Sequence, residues 1–285
     1  MQHTAAIPEF QPVLDWPQRP DGVTWGQVVQ VVVDARDRVF FFQRATPGVL
    51  IFDSAGAYLG SWSAERDARF TDIHSAWLGS DAAGEYLLLV NRDENELART
   101  TLDGEVVWSV RDPSRFARPT DAAAARDGSI YVSDGYGNAL THHFSARGEH
   151  LRSWGQPGAA AGQFDLPHGV WLTQRDGREA VYVCDRENNR VQIFSLNGDY
   201  LSEIGDLRRP TDIIVGPDGL RYISELLGRV TILDADDRVI ARLGAEPAAE
   251  PGQFVAPHAL WLDSAGSLYV TEVLEGRRVQ KFRRV

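Results

Sequence analysis

The strongest constraint on what this chain can fold into is a unit that recurs along its whole length. Pro119-Thr120-Asp121 followed by Asp127-Gly128-Ser129-Ile130-Tyr131-Val132 returns as Pro210-Thr211-Asp212 followed by Asp218-Gly219-Leu220-Arg221-Tyr222-Ile223. Likewise Gly162-Gln163-Phe164 leading to Pro167-His168 returns as Gly252-Gln253-Phe254 leading to Pro257-His258. Aligned on the residue that opens the first strand, the copies begin at Val29, His74, Thr120, His168, Thr211 and His258, spaced by 45, 46, 48, 43 and 47 residues. Twenty-six glycines and 14 prolines spread along the chain leave windows too short and too β-branched for long amphipathic helices. A period in the forties with about four short strands per copy predicts an all-β, six-bladed β-propeller. A β-sandwich has no reason to keep a fixed period.

In the fourth copy the strands are expected near 169–173, 179–184, 190–195 and 199–204. The sixth copy ends one strand short at Val285, and residues 10–15 are predicted to supply the missing strand. Such a closure removes an exposed sheet edge. It would make residues 1–285 one propeller, with 159–161 and 246–251 as surface loops.

Charge and composition narrow the partners. Among 285 residues, 29 Lys and Arg against 40 Asp and Glu give a net charge of −11, which opposes binding to a phosphate backbone. No apolar run approaches the ~18 residues of a membrane helix, and the first residues lack the pattern of an export signal. A single cysteine, Cys184, excludes an internal disulfide. The expectation is a cytoplasmic protein that binds neither nucleic acid nor membrane.

The first strand of a propeller blade lines the central channel. His74, His168 and His258 open that strand in blades two, four and six, about 120° apart. Three neutral imidazoles with one position left open form the ligand set of a catalytic zinc or similar divalent ion. The loops after the second strands share this face. They carry Arg44, Arg92 and Arg186 in one register, with Tyr136 one residue further along in its own blade. Guanidiniums around a metal suit a small anionic substrate, because they grip a carboxylate bidentately. Adjacent residues on a strand point to opposite faces, so His142 and His143 cannot chelate together. Asp-Gly pairs at 103, 127, 176 and 218 read as hairpin turns. No phosphate-binding loop, nucleophile elbow or dinucleotide fingerprint occurs.

Leu14-Asp15-Trp16-Pro17, Ser133-Asp134-Gly135-Tyr136, Gly162-Gln163-Phe164 with Pro167-His168-Gly169, Asp185-Arg186-Glu187-Asn188 and Pro257-His258 resemble segments of the peptidyl-α-hydroxyglycine α-amidating lyases. These are six-bladed propellers related to NHL-repeat proteins. The resemblance implies that the three His hold zinc, that Tyr136 acts in proton transfer and that Arg44 and Arg186 engage substrate. It also implies cleavage of the C–N bond of an N-acyl α-hydroxyglycine to an amide and glyoxylate. The family's structural calcium depends on an Asp directly after the third His. Here that residue is Ala259, so calcium is not expected. Ile73 and Ala256 replace a Pro and a Met of the pattern. Two alternatives are a calcium-type lactonase propeller, against which three channel His argue, and a non-catalytic NHL-type binding module, which has no need of them.

Overall fold

A computed structural model describes residues 7–70 and 72–285. Six four-stranded antiparallel sheets are arranged as blades. The blade-four strands are Pro167–Arg175, Arg178–Asp185, Arg190–Ser195 and Tyr200–Ile204, close to the expected positions. Turns at Gly104, Gly128, Gly177 and Gly219 take φ values between 74° and 85°, so the Asp-Gly pairs do form the tight connections between strands. Segments 159–161 and 246–251 run as mainly exposed loops. One element was not foreseen: a six-residue helix, Ala64–Arg69, capped by Ser63 between blades one and two.

Each second strand is buried on both faces and is correspondingly apolar, as in Phe40-Phe41-Phe42 and Leu87-Leu88-Leu89. The core is therefore divided among the blade interfaces. Between blades four and five, for example, Tyr182, Cys184 and Ile193 pack on Ile213, Ile223 and Leu233. Among the described residues no helix is long and apolar enough to cross a membrane.

The ring closes through the start of the chain. Phe10–Pro12 pairs antiparallel with Arg278–Arg284, matching Phe10 to Arg284 and Pro12 to Phe282. Just beyond, Trp16 is wedged edge-on between Tyr269 of blade six, at 4.9 Å, and Phe41 of blade one, at 5.7 Å. Its indole N–H donates to the Ser54 carbonyl at 3.2 Å. Truncating this wedge leaves a void at the closing seam. Trp16→Ala should cost about 3 kcal/mol or more of unfolding free energy, read as a lower urea midpoint. An unchanged midpoint would mean that the seam is held by the outer strand alone.

Candidate functional site

The innermost strands explain why the channel residues point where they do. In blades two and six the register with the second strand skips one residue, between Ile73 and Ser75 and between Pro257 and Ala259. In blade four the break lies between Pro167 and Val170. A bulge at each opening residue turns its side chain out of the ladder. His74, His168 and His258 are thereby aimed at the axis, with one ligand nitrogen of each within 4.8 Å of the others.

Each ring is held by the next blade. His74 Nδ1 lies 2.6 Å from the Thr120 carbonyl, His168 Nδ1 2.6 Å from Thr211, and His258 Nδ1 2.7 Å from Val29. A carbonyl can only accept, so Nδ1 carries the proton and Nε2 presents its lone pair to the channel. Backbone carbonyls orienting the distal nitrogen are the usual support for metal-binding imidazoles. Burial lowers the pKa of all three, His258 to about 3, and Arg44 acts in the same direction. Neutral, tautomerically fixed and convergent, these side chains fit a divalent ion. Among the described residues they form the one group of three such side chains close enough to share an ion.

Tyr136 covers this triad. Its hydroxyl lies 3.1 Å from His74 Nε2 and 3.3 Å from His168 Nε2. The loop that carries it passes so close to its neighbours that a Cβ at Gly135 would overlap the Pro167 carbonyl, and one at Gly137 would meet the Ala117 carbonyl. Only glycine fits on either side of Tyr136, which explains the Gly135-Tyr136-Gly137 sequence. Asp134 anchors the loop by accepting from the Ala117 N–H at 2.9 Å and from Asn138 at 2.7 Å.

The sequence-predicted arginines converge here. Arg92 and Arg186 place their guanidinium carbons 5.3 and 5.7 Å from the Tyr136 ring centre, within cation–π range. Arg44 and Arg92 share Asp72, at 3.2 and 2.8 Å. Arg44 Nη2 is buried and has no hydrogen-bond partner among the described residues. Burial, then the nearby Arg92, lowers the Arg44 pKa. Thus all seven residues singled out in the sequence gather at one end of the channel. By contrast, His142 faces Asp134 and Ser153 while His143 stacks on Tyr131, so that pair does split between faces.

Several site residues were missed. Asp72, Arg118 and Arg209 come from the segments that lead into the first strands. The repeated Arg-Pro-Thr-Asp at 118–121 and 209–212 was the available signal. A second missed pattern is Trp77, Trp171 and Trp261, each three residues after a channel His. Their rings stand 6.4 Å (Trp77 to Trp171) and 5.8 Å (Trp171 to Trp261) apart and form an aromatic layer further along the channel.

Against the His triad lies a void of about 10 Å³, lined also by Gln30, Ser75, Asp121, Asp212 and Ala259. Burial raises the pKa of both carboxyls, that of Asp121 to about 7 and that of Asp212 well above the usual range. Each also clamps neighbouring backbone: Asp121 accepts from Val170 N–H at 2.8 Å and Asp212 from Leu260 N–H at 3.3 Å. A larger hollow, of about 830 Å³, lies against Trp77 and Trp171, away from the triad.

Fold and site together define a six-bladed β-propeller with three convergent channel imidazoles under a tyrosine and an arginine-rich mouth. The human NHL repeat-containing protein 3 is 26% identical over 289 residues, covering 94% of this chain and 82% of that protein. A probable peptidyl-alpha-hydroxyglycine alpha-amidating lyase of Caenorhabditis elegans is 39% identical over 115 residues, covering 39% of this chain and 30% of that protein. Homologues of the chain thus include NHL-repeat proteins over nearly its full length and amidating lyases over part of it. Among solved structures, a streptogramin B lyase superposes with a TM-score of 0.64 at 12% identity, covering 98% of this chain and 97% of that one. At that identity the likeness is one of fold. No protein-family model matches the chain.

Proposed function

We propose that this protein is a divalent-metal lyase that cleaves the C–N bond of an N-acyl α-hydroxyglycine or a related carbinolamide. The products are an amide and glyoxylate. The observation that carries this reading is the placement of the Tyr136 hydroxyl over two of three inward-facing imidazole nitrogens, with guanidiniums alongside.

His74, His168 and His258 would hold the ion, zinc or a similar divalent metal. When bound, it supplies Lewis acidity toward the substrate's α-hydroxyl. Arg44 and Arg186 receive the substrate carboxylate, with the unpartnered Nη2 of Arg44 as one fork. Arg92 adds charge beside Tyr136. Tyr136 then relays a proton. It accepts the one leaving the α-hydroxyl as it delivers its own to the departing amide nitrogen, while the C–N bond breaks and the aldehyde C=O forms. Buried Cys184, the chain's one cysteine, has no disulfide partner and supports a reducing, cytoplasmic setting.

The test is glyoxylate release from α-hydroxyhippurate, with ureidoglycolate as a second compound, by zinc-loaded protein. Release above the uncatalysed rate supports the lyase. No release from either compound by protein with stoichiometric metal would remove this reading and leave a binding propeller.

A further inference from the structure

Five arginines stand at the mouth, more than one carboxylate requires, and their pairing follows a rule. Arg92 and Arg118 both contact Asp93, at 3.1 and 3.0 Å. Arg186 and Arg209 both contact Glu187, at 2.9 and 2.5 Å. In each unit the first arginine follows a second strand and the acid is its neighbour in sequence. The second arginine comes from the approach to the next blade. The backbone repeats as well. Arg118 and Arg209 adopt φ values of 64° and 54°, and their N–H groups donate to Asn95 Oδ1 at 2.7 Å and Asn189 Oδ1 at 2.9 Å. A left-handed conformation at a residue other than glycine is uncommon and carries a conformational cost. Here it occurs at three equivalent places, Arg118, Leu166 and Arg209, and at two of them it brings an arginine back over the mouth.

Each Arg–carboxylate–Arg unit is left with one uncompensated positive charge, on a chain whose net charge is −11. Arg44 and Arg92 share Asp72, so Arg44, Arg92 and Arg118 together face two carboxylates and keep one excess charge, as Arg186 and Arg209 do over Glu187. The first unit lies against Tyr136 from blades two and three, with Arg92 and Arg118 at 5.3 and 5.6 Å from its ring centre. The second approaches from blade four through Arg186 at 5.7 Å. Two excess charges that reach the proton-relaying tyrosine from different blades match two separate anionic groups.

We infer that the substrate is a dianion whose acyl part ends in a second carboxylate, received by Arg92 and Arg118. This rests on the lyase reading, in which Arg44 and Arg186 take the carboxylate of the hydroxyglycine part. Arg118 is the specificity-determining residue. Its side chain is half exposed and is tethered to Asp93, which is itself 53% exposed, so both can reorganise around an incoming carboxylate. Guanidinium forks bind carboxylate with directional, charge-assisted hydrogen bonds.

The experiment compares N-succinyl-α-hydroxyglycine, a dianion, with N-butyryl-α-hydroxyglycine, a monoanion in which a methyl replaces the terminal carboxylate, as substrates of zinc-loaded protein. In parallel, calorimetry measures the binding of succinate and of butyrate. The expected kcat/KM ratio favours the succinyl compound about tenfold or more, with a preference for succinate over butyrate in binding. Arg118→Gln should bring both ratios close to one, and Arg118→Lys should retain part of each because the charge remains. Equal kcat/KM for the two amides in the wild type, with turnover intact, would overturn the second-carboxylate site and leave the lyase standing. A preference that persists undiminished in Arg118→Gln would overturn the assignment to Arg118. If neither amide reacts but succinate is preferred and Arg118→Gln abolishes that preference, the lyase reading falls while the anion site holds.

Discussion

His168→Ala protein is expected to emerge folded but without tight divalent metal. The three imidazoles converge from blades two, four and six, and each is oriented by a backbone carbonyl of the following blade. Removing one leaves two ligands on a site shaped for three, and two neutral nitrogens hold a divalent ion far less firmly. Metal content after dialysis should fall from about one equivalent to near zero, with the far-ultraviolet dichroism of the ring unchanged. Stoichiometric metal retained by this variant would refute the triad. His142→Ala makes a useful control. That imidazole is also buried, but it faces Asp134 and Ser153 rather than the channel, so its removal should leave metal content alone.

Tyr136→Phe should keep the metal and lose turnover by about 10²–10⁴, the usual contribution of a positioned proton-transfer group. The substitution deletes one oxygen and preserves the ring on which Arg92, Arg118 and Arg186 converge. Substrate affinity should therefore change far less than kcat. Unimpaired turnover would remove Tyr136 from the mechanism even with the metal in place. A parallel collapse of kcat/KM and metal content would instead show that the hydroxyl supports the triad, which its distances of 3.1 and 3.3 Å to two ring nitrogens also permit.

The ring could be read from the chain because propeller blades are copies, and copies leave a period. The His triad was visible for the same reason, since equivalent positions in a ring become neighbours on the axis. What the period could not carry was contact between residues that are not equivalent. Asp72 meets Arg44 of the preceding blade, and Arg118 meets Asp93 across the seam between blades two and three. The repeat marks Arg118 itself, but neither contact has a local signal. The strand ends were less legible. The inner strand of blade four begins at Pro167 rather than 169, because its pairing resumes on the near side of a bulge that backbone geometry, not composition, sets. The Ala64–Arg69 helix was overlooked inside the segment joining blades one and two, although Ser63 followed by Glu65 is a serviceable start signal.

The alternation of imidazole and carbonyl around the channel ties blade number to coordination number. Even-numbered blades supply His74, His168 and His258, and odd-numbered blades supply the carbonyls of Val29, Thr120 and Thr211 that hold them. A ring with an odd number of blades cannot alternate, so gaining or losing one blade would seat two donors or two acceptors side by side. Such a ring could still close as a fold, but not as a trigonal site. The smallest segment that can be copied or exchanged without breaking the pattern is therefore a pair of blades, one bringing the imidazole and the next bringing the carbonyl that aims it. The same pair carries one member of the Trp77, Trp171 and Trp261 layer, so both the open and the aromatic levels of the channel follow a threefold rather than a sixfold rule.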